Sequence, residues 1–158
     1  METMNQHFAE VVETLDPSFH RLMAMDPVTP ISLPKRMPKE GVYLFSEDRE
    51  HLYVGRSKDI RGRIGRHCLP GATHRMAAFA FRLARETTGR LDASYKQEGS
   101  RRELMQDPAF RAAFDQAKTR IREMDVRFVE EADPVRQALL EIYVAVSLET
   151  PYNDFRTH

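Results

Sequence analysis

The chain has one cysteine, Cys68, in 158 residues. A lone thiol cannot build a disulfide framework, so a reducing, cytoplasmic setting is expected. No apolar run approaches the roughly 20 residues of a membrane span. The opening METMNQHFAEVVETL is too acidic for a secretory signal, and no membrane association is expected. Net charge is missing as well: Lys+Arg and Asp+Glu are both 24. Bulk electrostatics therefore do not announce a polyanion binder. Internal repeats and low-complexity tracts are absent, which excludes a solenoid. What remains is a chain with 41% hydrophobic residues, enough for one core of ordinary size.

Neutrality hides an uneven distribution. Between Arg56 and Arg90 the charges are Arg56, Lys58, Arg61, Arg63, Arg66, Arg75, Arg82, Arg85 and Arg90, opposed by Asp59 and Glu86. The first fifty residues lean acidic. A basic middle suits a local footprint for a polyanion, although a solvated arginine-rich surface explains it equally simply.

Two short amphipathic helices are expected in NQHFAEVVETL and PSFHRLMAM, split near Asp16-Pro17. The segment after them carries Pro27, Pro30, Pro34 and Pro38, which forbids helix and predicts an extended strap. Two β-rich runs, 41–46 and 51–56, flank Glu47-Asp48-Arg49-Glu50, a hairpin signal without an Asn-Gly turn. A short helix is expected from Asp59 to His67, and a stronger one over 73–89 closed by Gly89. Residues 91–101 read as loop, and 101–124 as helix interrupted at Pro108. A strand over 125–131 precedes a last helix with Asp133 as N-cap and Pro134 at its first position.

If Gly41 pairs opposite Gly55, Tyr43 falls opposite Tyr53 and both phenols leave one face of the sheet. A slip by one residue puts them on opposite faces. Two tyrosines chosen for strand propensity would look the same. In the next helix Ile60, Arg63, Ile64 and His67 share a stripe, so burial of the isoleucines draws Arg63 and His67 toward one cleft. Arg63 offers a planar fork suited to phosphate, and His67 is expected to accept a proton near neutrality. In ALLEIYVAVSL, Glu141 is the one ionisable side chain short of the tyrosine. Such a carboxylate needs a cation, a shifted pKa or a cleft, and Arg56 and Arg136 are candidate ion-pair partners.

These residues together resemble the GIY-YIG nuclease family: GVY (41–43), YVG (53–55), Arg56, DIRGRI ending at Arg63, a strand, a helix bearing Glu141, and Asn153 in PYND. RIGRH is similar to the subset in which the histidine lines the site. The resemblance implies an α+β fold, a small three-stranded antiparallel sheet flanked by helices. Residues 1–38 would be an N-terminal helical extension and strap. Residues 39–158 would be the nuclease domain, with a helical insertion at about 72–122. It further implies metal-dependent hydrolysis of phosphodiester bonds in nucleic acid, DNA in the first instance. Tyr43, Tyr53, Arg63, His67 and Glu141 would be catalytic, with Arg56, Lys58 and Asn153 binding substrate, and Asn153 is expected to tie the C-terminal loop to the site rather than perform chemistry. Glu141 would hold one divalent cation, Mg²⁺ or Mn²⁺. Tyr43 is the expected general base, its pKa lowered by nearby positive charge from the metal, Arg56 or Arg63. The alternative is a non-catalytic nucleic-acid-binding module of the same fold. A third reading makes the N-terminal helices and strap an interaction arm. A thiol dyad of His67 with Cys68 is disfavoured, since adjacent helical residues diverge by about 100°. A zinc site from His67, Cys68 and His74 lacks ligand spacing.

Overall fold

A computed structural model describes residues 3–90 and 97–156. Its elements are α1 (Gln6–Glu13), α2 (Leu15–Ala24), β1 (Gly41–Glu47), β2 (Glu50–Ser57), α3 (Ile60–Cys68), α4 (Ala78–Thr88), α5 (Gln97–Gln106), α6 (Pro108–Arg122), β3 (Asp125–Glu130) and α7 (Pro134–Leu148). The loop expected over 91–101 is helical from Gln97 onward, and its remainder lies outside the described residues. The helix expected over 73–89 starts only at Ala78 and ends, as expected, on Gly89 in the left-handed conformation.

The strands form one antiparallel sheet in the order β2-β1-β3. Central β1 is buried on both faces, which its GVYLFS run requires. Tyr43 and Phe45 enter a core with residues of α3, α4 and α6. Val42 and Leu44 enter a second core with α2 and α7. Side chains alternate across a strand, so one short sequence serves both layers. Burying each such side chain contributes about 1.5–3 kcal/mol.

The β1–β2 turn uses Asp48 and Arg49, both with positive φ (52° and 69°), the backbone of a type I′ hairpin without its usual glycine. The turn sets Glu47 opposite Glu50 and Ser46 opposite His51. Continued unbroken, that register would send Tyr43 and Tyr53 to opposite faces. A bulge between Phe45 and Ser46 changes it, so that Phe45 pairs with Tyr53 and Tyr43 with Gly55. Gly41 thus pairs with Ser57, two residues from the Gly41–Gly55 register considered above. A two-residue offset preserves the face, and both phenols share one.

Both sheet edges are covered. Along β3, Val28 of the strap exchanges backbone bonds with Val126 (3.1 and 2.7 Å). Along β2, the Tyr152 amide donates to the Leu52 carbonyl at 3.1 Å. The N-terminal segment is no free arm. Leu15 and Leu22 of α2 are buried in the α7-side core, Phe19 packs edge-on to Tyr143 at 5.0 Å, and the Tyr143 hydroxyl donates to Asp16 at 3.0 Å. Among the described residues no helix is long and apolar enough to cross a membrane.

Candidate active site

α3 begins at its cap, where the Asp59 carboxylate accepts from the Gly62 amide at 3.1 Å. Ile60 and Ile64 are fully buried and seat the helix on the core. The same stripe carries His67 under β1, where its Nε2 lies 2.7 Å from the Tyr43 hydroxyl. Both side chains are buried. Burial, chiefly, raises the Tyr43 phenol far above its ordinary value; the Tyr53 phenol and Glu141 add to this, and Arg63 opposes it. Burial, then Arg63 and Arg66, lowers His67 to about 3. Arg63 does lower the Tyr43 phenol as expected, but burial outweighs it, and burial likewise opposes the proton uptake expected of His67 near neutrality. Desolvation outweighs the surrounding charge in both, so the resting pair is a phenol and a neutral imidazole. The His67 Nδ1 is buried without a partner among the described residues.

Tyr53 is half-buried, stacked on Phe79 at 4.9 Å with 8° between planes, and edge-on to His67 at 5.3 Å. Its phenol is also raised by burial. Phe79 of α4 therefore fixes a site ring. Gly55 is a residue whose role the sequence did not reveal. A Cβ there would fall 2.2 Å from the Tyr43 hydroxyl oxygen. Gly41 is required at the other end of the motif, where a Cβ would meet the Val129 carbonyl oxygen at 1.9 Å.

Arg63 is half-buried, with Nη1 donating to the Met76 carbonyl at 2.9 Å, and its charge and hydrogen bonding act on both phenols. Glu141 comes from α7, on the opposite side of the sheet at the β2 edge, and its charge also reaches both phenols. Its own carboxyl is raised by burial, with Arg56 opposing. Among the described residues its ion pair is with Arg56 at 3.8 Å, and no donor lies within hydrogen-bond distance. Arg136, the other expected partner, pairs with Glu131 at 3.3 Å. Tyr43, Tyr53 and His67 thus meet directly, while Arg63 and Glu141 act on both phenols through their charge.

Arg56 and Lys58 are exposed and line a cleft with Glu40, Pro134 and Gln137 beside the start of α7. Asn153 ties the C-terminal loop to β2. Its Oδ1 accepts from the Val54 amide (2.9 Å) and the Thr150 hydroxyl (2.8 Å), while Nδ2 donates to the Val54 carbonyl at 2.7 Å. The amide imitates a neighbouring strand and braces the β2 edge. Cys68 is buried, donates to the Ile64 carbonyl at 3.3 Å, and has its thiol pushed up to about 11 by burial. Among the described residues no group of three or more His, Cys, Asp or Glu could hold a metal ion. A hard divalent ion that keeps most of its waters needs only one or two carboxylates, and Glu141 meets that requirement.

A family model described as the GIY-YIG catalytic domain matches residues 39–104. Over that span the chain is similar to the GIY-YIG catalytic domain. The match includes both tyrosines, Arg63 and His67, and ends before Glu141 and Asn153. GIY-YIG domains have nuclease-type activity, act on nucleic acid and generally use divalent metal ions. The three-stranded sheet and flanking helices agree with the GIY-YIG fold. No curated protein and no solved structure matches the chain.

Proposed function

We propose that this protein is a metal-dependent endonuclease of the GIY-YIG family that hydrolyses phosphodiester bonds in nucleic acid, with DNA as the substrate. The observation that carries this reading is the buried Tyr43–His67 contact at 2.7 Å, lying within electrostatic reach of both Arg63 and Glu141. Glu141 would hold one Mg²⁺ or Mn²⁺. Among the described residues its desolvated carboxylate has only a 3.8 Å ion pair, so a cation beside it relieves a standing cost. When bound, such an ion polarises the scissile phosphate and stabilises the leaving oxygen.

The protein groups divide the remaining work. Arg63, anchored by the Met76 carbonyl, presents guanidinium N–H groups to the non-bridging oxygens as charge gathers there. Tyr43 removes the proton of the attacking water while its own hydroxyl proton passes to His67 Nε2. No free phenolate accumulates, which suits a phenol whose ionisation burial opposes. The anionic phosphodiester raises the basicity of His67 as the substrate enters. Tyr53, clamped by Phe79, orients its hydroxyl toward the phosphate. Arg56 and Lys58 meet the backbone at the cleft mouth. Asn153 acts as a brace.

The test is nicking of supercoiled plasmid with Mg²⁺, with Mn²⁺ and with chelator. Metal-dependent nicking that falls about a hundredfold or more in Glu141→Gln is expected. Binding that is sensitive to salt, with no cleavage under any metal, would instead support the binding-module reading. The large gap between the resting Tyr43 and His67 protonation preferences is the observation that favours that second reading.

A further inference from the structure

The helices after the motif carry a second cationic cluster. Phe81 of α4 has the Arg85 guanidinium 5.2 Å from its ring centroid and that of Arg101, from α5, at 5.1 Å. The His74 ring lies 6.2 Å from the same centroid. Arg75 and Arg102 are exposed beside them. Among the described residues, none of these four arginines forms an ion pair, and the charges acting on His74 and Arg85 are all cationic. Arg85 Nε and His74 Nδ1 are buried with no partner among the described residues. Three neighbouring acids are engaged elsewhere: Asp107 with Arg90 (2.6 Å), Glu86 with the Tyr152 hydroxyl (2.8 Å), and Asp115 with Lys118 (3.5 Å); Glu103 follows Arg102 on α5.

Like charges gathered on one aromatic ring repel, and cation–π attraction offsets only part of that. An anion arriving from outside completes the arrangement. The cluster also continues the active site. Arg75 directly precedes Met76, whose carbonyl holds Arg63, and Arg82 on α4 acts on Tyr53. An extended polyanion lying over the reactive cleft would pass both.

We propose that His74, Arg75, Arg85, Arg101 and Arg102 form a second phosphate-binding surface that grips the nucleic-acid backbone away from the bond being cut. This rests on the nucleolytic reading of the main site. Its occupant is the phosphodiester backbone, and its effect is affinity and placement.

The experiment measures anisotropy of a short fluorescent DNA duplex across a KCl series. The parent protein carries Glu141→Gln so that the probe stays intact. Added Arg75→Gln and Arg102→Gln lie on exposed side chains and leave the core untouched. Expected is an affinity loss of about tenfold at low salt, with a log–log salt slope shallower by about 2, roughly 0.9 per lost phosphate contact. The paired Lys substitutions should keep most of the affinity. Unchanged affinity and slope, with wild-type protein still nicking plasmid, would overturn this surface alone. A parent that binds no duplex, together with a wild type that nicks nothing, would overturn the main reading as well. Loss of binding to phosphatidylserine vesicles in the double variant, with duplex binding unchanged, would reassign the arginines to a lipid surface.

Discussion

Gly55 stands directly opposite Tyr43 in the β1–β2 pairing, and the Tyr43 phenol crosses the space a Gly55 side chain would fill. That relationship joins the two tripeptides of the motif physically: one supplies the phenol, and the other supplies the gap through which it reaches His67. Gly55→Ala is expected to force the phenol aside. Overpacking of this kind costs about 1–3 kcal/mol. Chemical denaturation measures that loss, and plasmid nicking should fall by about a hundredfold because the Tyr43–His67 contact is broken. Wild-type activity in the alanine variant would show that the contact is dispensable.

Glu141→Gln should stabilise the fold while removing cleavage. The folded carboxyl is raised above its ordinary 4.5 by burial, so the native state holds a proton that the unfolded chain releases first. Wild-type stability therefore falls as pH rises from the unfolded value through the folded one, and Gln lacks that loss. Urea titrations at pH 4 and pH 7 should show the variant gaining on wild type at the higher pH. Mg²⁺ should stabilise wild type and leave the variant unmoved.

His67 titrates in the opposite sense. Its folded value of about 3 lies below the ordinary 6.5, so the unfolded state binds the proton first. Stability should decline as pH drops from about 6.5 toward about 3. NMR of the imidazole should show no protonation between pH 8 and pH 5. A titration midpoint near 6.5 would contradict the burial argument and reopen direct proton uptake by this histidine.

Tyr43→Phe preserves the ring and removes only the hydroxyl. Cleavage should fall by about 10²–10⁴-fold, the usual weight of a positioned proton-transfer group. The fold should survive, because the ring still packs edge-on to Phe45 at 5.8 Å. Circular dichroism beside the nicking assay separates the two effects.

Asn153→Ala removes the side chain that brackets Val54. Leaving those strand groups to water or unpaired costs about 1–3 kcal/mol. Faster hydrogen exchange at the Val54 amide is the direct readout. Protection equal to wild type would mean that another group covers the edge.

Much of this molecule is written in short-range pattern. The double-faced apolar run of β1, the Asp59 and Asp133 caps, the Ile60-Arg63-Ile64-His67 stripe and the order of the site residues follow from local rules of period and capping. Those rules involve neighbours within a turn or two of the chain. The tertiary structure decided the rest. Parity of the two tyrosines depends on a bulge at Phe45/Ser46 that no residue type announces. The protonation of Tyr43 and His67 depends on burial by α3 and α4 packing against the sheet, and desolvation is a property of what surrounds a group. Asn153 became a brace because the chain returns to an open sheet edge. The arginines around Phe81 met because α5 packs on α6, which in turn packs on α4, a juxtaposition created only by tertiary packing.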